Sequence, residues 1–171
     1  MHIRRLVSSD AGAYQVLRLQ ALRDSPTAFG SSYEEECNTP IDLVAAFLAG
    51  GSDRNMFGAF VEEQLVGMIG VGREGGRREG HKGFIRSMYV VPARRGEGIG
   101  RRLLSEALKV AASMPGLQHV TLAVTAGNVE ATALYESMGF KPFGVAPAAL
   151  LVDGVLYDEI QMLRSVARSR E

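Results

Sequence analysis

The middle of the chain carries an apolar run that passes through a glycine-rich turn into a helical pattern. Residues 87–91 are rich in strand formers, and Pro92 lacks the N–H that sheet pairing needs, so a strand should end there. Beyond the turn, apolar residues recur at helical spacing with charged residues on the opposite face. This apolar set is Ile99, Leu103, Leu104, Ala107, Leu108 and Ala111. The segment therefore predicts a strand that passes through a glycine turn directly into an amphipathic helix.

The turn has the composition of an anion-binding loop. Gly96, Gly98 and Gly100 lack a Cβ atom, so the backbone can adopt unusual dihedral angles and a ligand can approach several N–H groups. Those N–H groups open a helix, whose unpaired donors and positive dipole end suit a phosphate. A plain strand-to-helix turn has the same composition, and the spacing matches neither the dinucleotide fingerprint nor a P-loop. The turn alone therefore leaves both interpretations open.

Periodicity elsewhere predicts further strands and helices. The apolar face of the first helix should be Ala13, Val16, Leu17, Leu19, Ala21 and Leu22. A second helix is expected at 41–49, and hairpins at 56–71 and at 143–163, the latter turning at Asp153-Gly154. The long helix separates strands 83–91 and 120–125, so these strands should pair in parallel. At 171 residues the chain fits a single domain, 1–171.

A second segment downstream favours one interpretation of the glycine turn. It runs Asn128-Val129-Glu130-Ala131-Thr132-Ala133-Leu134-Tyr135-Glu136-Ser137-Met138-Gly139-Phe140. The loop Arg95-Gly96-Glu97-Gly98-Ile99-Gly100 resembles the acetyl-coenzyme A loop of the GNAT superfamily of N-acyltransferases, written Arg/Gln-x-x-Gly-x-Gly/Ala. The downstream segment is similar to a second motif of that family, in which the Asn touches the cofactor, the Tyr faces its sulfur, and Gly-Phe ends the helix. With both motifs in order, the chain is identified as a member of this family.

The resemblance implies the fold, the cosubstrate and the residues that bind it. The implied α/β (α+β) fold is a mixed, mostly antiparallel twisted sheet of about seven strands with a central splayed parallel pair, flanked by about four helices. Acetyl-CoA is the implied cosubstrate, its pantetheine arm entering the splayed gap, and no metal is expected. The implied cofactor-binding residues are Met88, Tyr89, Val90, Arg95, Gly96, Glu97, Gly98, Ile99, Gly100, Arg101, Asn128 and Tyr135.

The implied reaction is direct attack of an amine on the acetyl thioester in a ternary complex. The Val90 N–H would stabilise the oxyanion. Tyr135 is the candidate acid for the leaving thiolate. Its alternative role is packing, because residues 131, 134, 135 and 138 share a helix face.

The sequence leaves the general base open. The protein N-terminal acetylating branch of the family carries a glutamate five positions before the Asn, where this chain has Ala123. Glu34 and Glu35 are the candidate catalytic bases, although a solvated helix face would explain the acidic run 34–36 equally well. Asp158, Glu159 and His81 are further candidates, and because Asp158 and Glu159 alternate along a strand, only one of them can face the cleft.

Composition argues against several classes of partner. The 19 basic and 19 acidic residues cancel, which argues against general attraction to nucleic acid or to an anionic membrane. No run approaches ~18 apolar residues, and the single Cys37 cannot form an internal disulfide, so a cytoplasmic protein is expected.

Two functions follow as hypotheses. The first is an acetyl-CoA-dependent N-acetyltransferase acting on a primary amine of a small molecule or peptide, with a protein N-terminal or lysine acetyltransferase as a variant. The second is a non-catalytic acyl-CoA-binding module. Both a monomer and a homodimer are compatible with the sequence.

Overall fold

In the computed structural model, which describes residues 1–166, seven strands form one sheet in the order β1-β2-β3-β4-β5-β7-β6. The strands are β1 His2–Arg5, β2 Arg54–Val61, β3 Gln64–Arg73, β4 Lys82–Val90, β5 His119–Thr125, β6 Lys141–Val152 and β7 Val155–Ser165. The helices are α1 Ala11–Asp24, α2 Tyr33–Glu36, α3 Ile41–Ala49, α4 Ile99–Ser113 and α5 Val129–Ser137. Residues 167–171 of the predicted domain 1–171 lie outside the described residues.

The sheet is antiparallel except at its centre, as predicted. β4 and β5 run parallel and pair only at Lys82–His119, Gly83–Val120 and Phe84–Thr121. Both strands continue beyond these pairs, β4 to Val90 and β5 to Thr125, without pairing to each other. The two strands therefore separate into an open gap at their carboxyl ends, which confirms the predicted splay.

Helices cover the two faces of the sheet unequally. α4 packs Leu103, Leu104 and Ala107 against one face, where they form a core with Ile69 and Val120. α1 and α3 cover the other face over strands β1 to β4, where a second core forms. Consecutive residues of one strand supply the two cores, since side chains alternate across a sheet: Met68 belongs to the second and Ile69 to the first. No helix in residues 1–166 has the length and apolar character that crossing a membrane requires.

The buried face of α1 differs from the predicted one. Leu17, Ala21 and Leu22 are buried as expected, but Ala13 and Val16 are exposed and Val16 is 71% accessible. Tyr14 and the half-buried Arg18 take their places on the inner face. The prediction was wrong at Ala13 and Val16 because it assigned only aliphatic residues to the interior, whereas an ion pair allows Arg18 to lie there.

That ion pair joins α1 to α2. Glu36 accepts two hydrogen bonds from the Arg18 guanidinium, at 2.9 Å from Nε and 2.8 Å from Nη2, and Arg18 Nη1 also donates to Ser87 Oγ on β4 at 3.3 Å. The Arg18 hydrogen bonds hold the pKa of Glu36 below its usual 4.5. Since the Arg18 side chain is only 12% exposed, removal of its partner leaves a mostly buried charge unpaired.

We therefore expect Glu36→Gln to lower the free energy of unfolding at pH 7 by about 1–2 kcal/mol, a modest value because the Glu36 carboxylate is partly solvated. A depressed folded-state pKa contributes stability above the unfolded pKa, and that stability is lost as pH falls through the folded pKa. The difference between wild type and variant should accordingly shrink below about pH 4.5. Denaturant titrations from pH 3 to 7 measure it, with the exposed Glu34→Gln as the matched control. A pH-independent difference would contradict the linkage.

Candidate active site

A cleft of about 630 Å³ passes through the gap between β4 and β5. One end is the glycine loop before α4, and the other reaches residues 24–28, at the end of α1 and in the loop that follows it. Of the predicted cofactor-binding residues, it brings together Met88, Tyr89, Val90, Arg95, Gly96, Gly98, Ile99, Gly100, Arg101, Asn128 and Tyr135. The loop, the splayed strand and α5, which are separate in sequence, thus line a single channel.

The loop end of the cleft is open to an anion. Gly96 and Gly98 have φ angles of +81° and +78°, and no atom lies within 4 Å of where a Cβ atom would stand at either position. Gly98 is the N-cap of α4, so the free N–H groups of the first helical turn border this space. Arg94, Arg95 and Arg101 line the same end of the cleft and add positive charge. A pyrophosphate fits this cradle of backbone donors and cations.

The loop side chains have unequal access to that space. Arg95 Nε donates to the Val90 carbonyl at 3.0 Å, which fixes the stem of the side chain at the cleft. Arg101 Nη2 donates to Ser137 Oγ at 2.7 Å and links α4 to α5. Glu97 does not line the cleft, and its carboxylate lies 3.6 Å from Arg94 Nη1.

β4 is distorted where it borders the gap. Ser87 and Met88 oppose the single residue Ile69, because the register passes from Gly70–Arg86 to Met68–Tyr89, and Ser87 has a φ of +57°. This two-against-one arrangement is a β-bulge, which redirects backbone groups of the strand. Past the bulge, Val91 N–H donates to Val66 on β3. Because successive residues point their N–H groups to opposite sides of a strand, the Val90 N–H faces the gap.

Tyr135 projects from α5 into the middle of the cleft. Its ring is 7% exposed and packs edge to face on Phe140, with 5.9 Å between ring centroids. Burial raises the pKa of the Tyr135 hydroxyl to about 12. No hydrogen bond joins this hydroxyl to another residue within 1–166. The phenol is therefore protonated at neutral pH and available as a donor to a ligand in the cleft.

A second cleft of about 520 Å³ joins the first from the sheet face that α1 and α3 leave uncovered. The two clefts share Ala28, Ile85, Arg86, Ser87, Leu122 and Ala123. Beyond the junction the second cleft is polar, with Arg18, Glu74, Glu159 and Gln161 on its walls. The site therefore has two entrances, the first cleft from the glycine loop and the second cleft from the opposite side of the junction.

Comparison with known proteins agrees with this geometry. The model of the acetyltransferase (GNAT) family matches residues 19–140, most of the chain. The chain belongs to the GNAT family.

This GNAT chain is similar to some proteins over part of their sequence and to others over the whole fold. N-alpha-acetyltransferase MAK3 of Arabidopsis thaliana is 37% identical over 84 residues, which are 49% of this chain and 43% of that protein, so the match spans less than half of the relative's length. A GNAT acetyltransferase from Streptococcus pneumoniae superposes with a TM-score of 0.86 at 20% identity, covering 97% of this chain and 99% of that one. The yncA protein of Salmonella typhimurium, solved with its cofactor acetyl-CoA, gives 0.85 at 20% identity, covering 100% and 96%.

The structure does not bring Glu34 and Glu35 to either cleft. Ser32 and Glu35 form a capping box on α2, in which the Glu35 carboxylate accepts the Ser32 N–H at 2.7 Å and Glu35 N–H donates to Ser32 Oγ at 3.2 Å. Glu34 is exposed, and of the three glutamates only Glu36 points inward, to Arg18. His81 is also remote from both clefts, beside His119 at the start of β4 and β5. The candidate bases predicted on α2 thus lie where helix capping and solvent place them.

Residues 24–28, at the end of α1 and in the loop that follows, form a wall of the first cleft, to which the sequence alone did not assign them. The Thr27 carbonyl accepts a hydrogen bond from Thr125 Oγ1 on β5, and the Asp24 carboxylate accepts one from Tyr89 Oη on β4 at 2.7 Å. These bonds fasten the loop across both splayed strands. In the sequence, Ser25-Pro26 predicts a turn at this position. It does not predict which strands the turn contacts.

Asn128 both caps a helix and borders the first cleft. Its Oδ1 caps α5 by accepting the Ala131 N–H at 3.2 Å, while its side chain also lines the first cleft. Asn128→Ser keeps a capping acceptor but removes the amide donor, whereas Asn128→Ala removes both. We expect Asn128→Ala to destabilise the fold by about 1 kcal/mol and Asn128→Ser to preserve it.

If the amide contacts the cofactor, both Asn128 variants should raise KM for acetyl-CoA by about fivefold, the value of one hydrogen bond. Thermal unfolding and acetyl-CoA saturation curves separate the two functions. A parental KM in Asn128→Ser would leave Asn128 as a helix cap alone.

Proposed function

We propose that this GNAT-family chain transfers the acetyl group of acetyl-CoA to a primary amine of a small molecule or peptide, by direct attack in a ternary complex. The observation that carries the proposal is the continuous cleft from the glycine loop through the splayed strands to Tyr135, met by a second entrance at Ser87 and Ala123. A long cosubstrate fills the first arm and an acceptor enters by the second. Family membership and the acetyl-CoA complex of the structurally similar yncA support the assignment of the cosubstrate.

In the proposed reaction the neutral amine attacks the thioester carbonyl carbon. The new C–N bond forms as the carbonyl electrons move to oxygen, and the Val90 N–H, which faces the gap, stabilises that oxyanion. Collapse of the intermediate breaks the C–S bond. The nitrogen loses its extra proton, the leaving sulfur gains one, and the products are the N-acetyl amide and free CoA thiol.

Tyr135 assists departure of the sulfur. Its hydroxyl lines the cleft, is protonated at neutral pH and has no partner among residues 1–166, so it can donate a hydrogen bond to the developing thiolate. The ring is held by Phe140, so the donor is positioned before the reaction begins.

Two observations favour different classes of acceptor. Similarity to the N-alpha-acetyltransferase MAK3 favours a peptide terminus. Ala123, which stands where the protein N-terminal acetylating branch carries its glutamate, favours a different acceptor. The cytoplasmic location and the choice between monomer and homodimer stay predictions.

Thiol release from acetyl-CoA in the presence of an amine panel tests the proposal. A suitable panel contains Nα-acetyl-lysine amide, an alanyl-glycine dipeptide with a free terminus and the aromatic amine 4-aminobenzamide. Amine-dependent release, with the N-acetyl product identified by mass spectrometry, is the expected result. Tight acetyl-CoA binding without turnover on any amine would favour the non-catalytic acyl-CoA-binding module.

A further inference from the structure

We infer that Glu159, on β7, binds the ammonium group of the acceptor and accepts its proton, and that the acceptor is therefore an alkylamine that is cationic in water. The inference rests on the proposed acetyl transfer and names the base and the substrate class of the same site. Glu159 lies on the polar wall of the second cleft, past the junction where the two arms meet.

The structure decides between the two neighbouring carboxylates of β7. Asp158 Oδ1 accepts the Ala148 N–H at 2.8 Å and so holds an irregular stretch of β6, where the register passes from Ala146–Glu159 to Leu150–Tyr157. Asp158 is exposed on that side of the hairpin. Because side chains alternate across a strand, Glu159 points to the opposite face, where the second cleft lies.

Glu159 also lies near Ala123, which lines the junction of the two clefts. β5 and β7 pair with Ala123 opposite Gln161 and Thr125 opposite Glu159. Residues directly opposite each other share a face of the sheet, and diagonal neighbours lie about 7–8 Å apart, within reach of a long side chain. Ala123 is exposed and presents only a methyl group, so the space next to it is open to the Glu159 carboxylate. From the wall of the second cleft, the Glu159 side chain is thus within reach of an amine at the junction beside Ala123.

The charges around Glu159 leave it available for a cation. Three other charged residues face the same cleft, namely Arg18 from α1, Glu74 just after β3 and Arg86 on β4. Asp158 precedes Glu159 in the sequence and lies on the opposite face of β7. Arg18 is neutralised by Glu36 at 2.8 Å, and Arg86 Nη2 lies 3.6 Å from Glu74. Among the residues that the structure describes, Glu159 forms no salt bridge. Its carboxylate is therefore the unmatched charge of the second cleft.

Such a group suits an amine that must lose a proton before it can attack. At pH 7 about one in 2,500 molecules of an alkylamine with a pKa near 10.4 is neutral, against about one in six for an α-amino group near 7.7. In the step that we propose, Glu159 takes one proton from the ammonium, directly or through one water molecule, and the freed nitrogen lone pair attacks the thioester carbon. The proton passes to solvent after product release, so the carboxylate is regenerated.

Glu159→Gln tests the inference on the purified full-length chain. With Nα-acetyl-lysine amide at pH 7, kcat/KM should fall at least tenfold, and the loss should shrink toward pH 10 as the amine deprotonates in solution. With 4-aminobenzamide, which is already neutral at pH 7, the loss should stay below about threefold. KM for acetyl-CoA and the melting temperature report folding and should remain parental.

Two further variants sharpen the result. Adding Ala123→Glu to Glu159→Gln should restore most of the alkylamine activity, because it returns a carboxylate to the same junction from β5. Glu34→Gln, exposed and outside both clefts, should keep parental kinetics. Parental alkylamine kinetics in Glu159→Gln, or equal losses for both amines, would overturn the inference while leaving acetyl transfer intact. A wild-type protein that acetylates no amine would overturn the proposed function as well.

Discussion

Replacing Tyr135 by phenylalanine should lower kcat by about 100-fold and leave KM for acetyl-CoA near its parental value. The substitution removes one oxygen and keeps the ring that packs on Phe140. A hydrogen bond that strengthens as charge develops on the leaving sulfur acts in the transition state, so its loss appears in kcat rather than in binding. Steady-state kinetics at saturating amine, with acetyl-CoA varied, measure both parameters.

The raised pKa of Tyr135 bears on whether its hydroxyl transfers a proton to the leaving thiolate or only donates a hydrogen bond to it. With a pKa of about 12, the phenol stands about 3.5 units above a thiol near 8.5, and complete proton transfer to the thiolate would be uphill by about 5 kcal/mol. Stabilisation of the thiolate by a hydrogen bond is therefore the larger part of the effect. Since the group stays protonated well above pH 9, Tyr135 should produce no alkaline limb in the pH profile of kcat between pH 6 and 9.

Tyr14→Phe is the matched control for Tyr135→Phe. Tyr14 is 6% exposed, its pKa is likewise raised to about 12 by burial, and it projects from α1 into the core that α1 and α3 form with the sheet. Both variants lose one buried hydroxyl, so any shared change in stability cancels in the comparison, and only Tyr135→Phe should lose turnover. An unchanged kcat in Tyr135→Phe would return this residue to a packing role.

Much of the fold could be predicted from local patterns. Helix α3 begins and ends at Ile41 and Ala49 as predicted, and the terminal hairpin turns at Asp153-Gly154 as the turn residues require. The splay of β4 and β5 followed from the family resemblance, because strand periodicity does not specify how far a parallel pair continues. The burial of Ala13 and Val16 in α1 was mispredicted, since the Arg18–Glu36 pair places a charged residue on the inner face of this helix.

The candidate site also has a part that local sequence patterns predict and a part that they do not. The glycine loop, Asn128 and Tyr135 belong to contiguous motifs, so each could be found by reading along the chain. The acceptor side depends on direction and register, which three adjacent glutamates or the pair Asp158-Glu159 do not specify. Helix capping turns Glu35 to Ser32, and the bond from Ala148 to Asp158 leaves Glu159 facing the cleft. The Ser32–Glu35 capping box is a local contact with a known sequence pattern, so it could have been found by reading along the chain. The Ala148–Asp158 hydrogen bond spans an irregular part of the terminal hairpin, and no local pattern encodes it.

The glycine loop gives the second large effect. Gly98→Val should raise KM for acetyl-CoA by about 100-fold with a smaller change in kcat. The new side chain would project into the open space at the N-terminus of α4, where no atom now lies within 4 Å, and would block the approach of the pyrophosphate to the helix N–H groups. Loss of two charge-assisted hydrogen bonds of about 1.5 kcal/mol each corresponds to this factor.

Gly98→Val would also strain the backbone, because a β-branched residue at a φ of +78° is disfavoured at any site. This effect on stability must be distinguished from the steric block of pyrophosphate binding. Gly116 offers the matched control: its φ is +76°, its Cβ position is equally open, and it follows the far end of α4, outside both clefts. Gly98→Val and Gly116→Val should lose similar melting temperature, and only Gly98→Val should lose acetyl-CoA affinity. If both folded variants bind acetyl-CoA as the parent does, the loop is a structural turn and the pyrophosphate lies elsewhere.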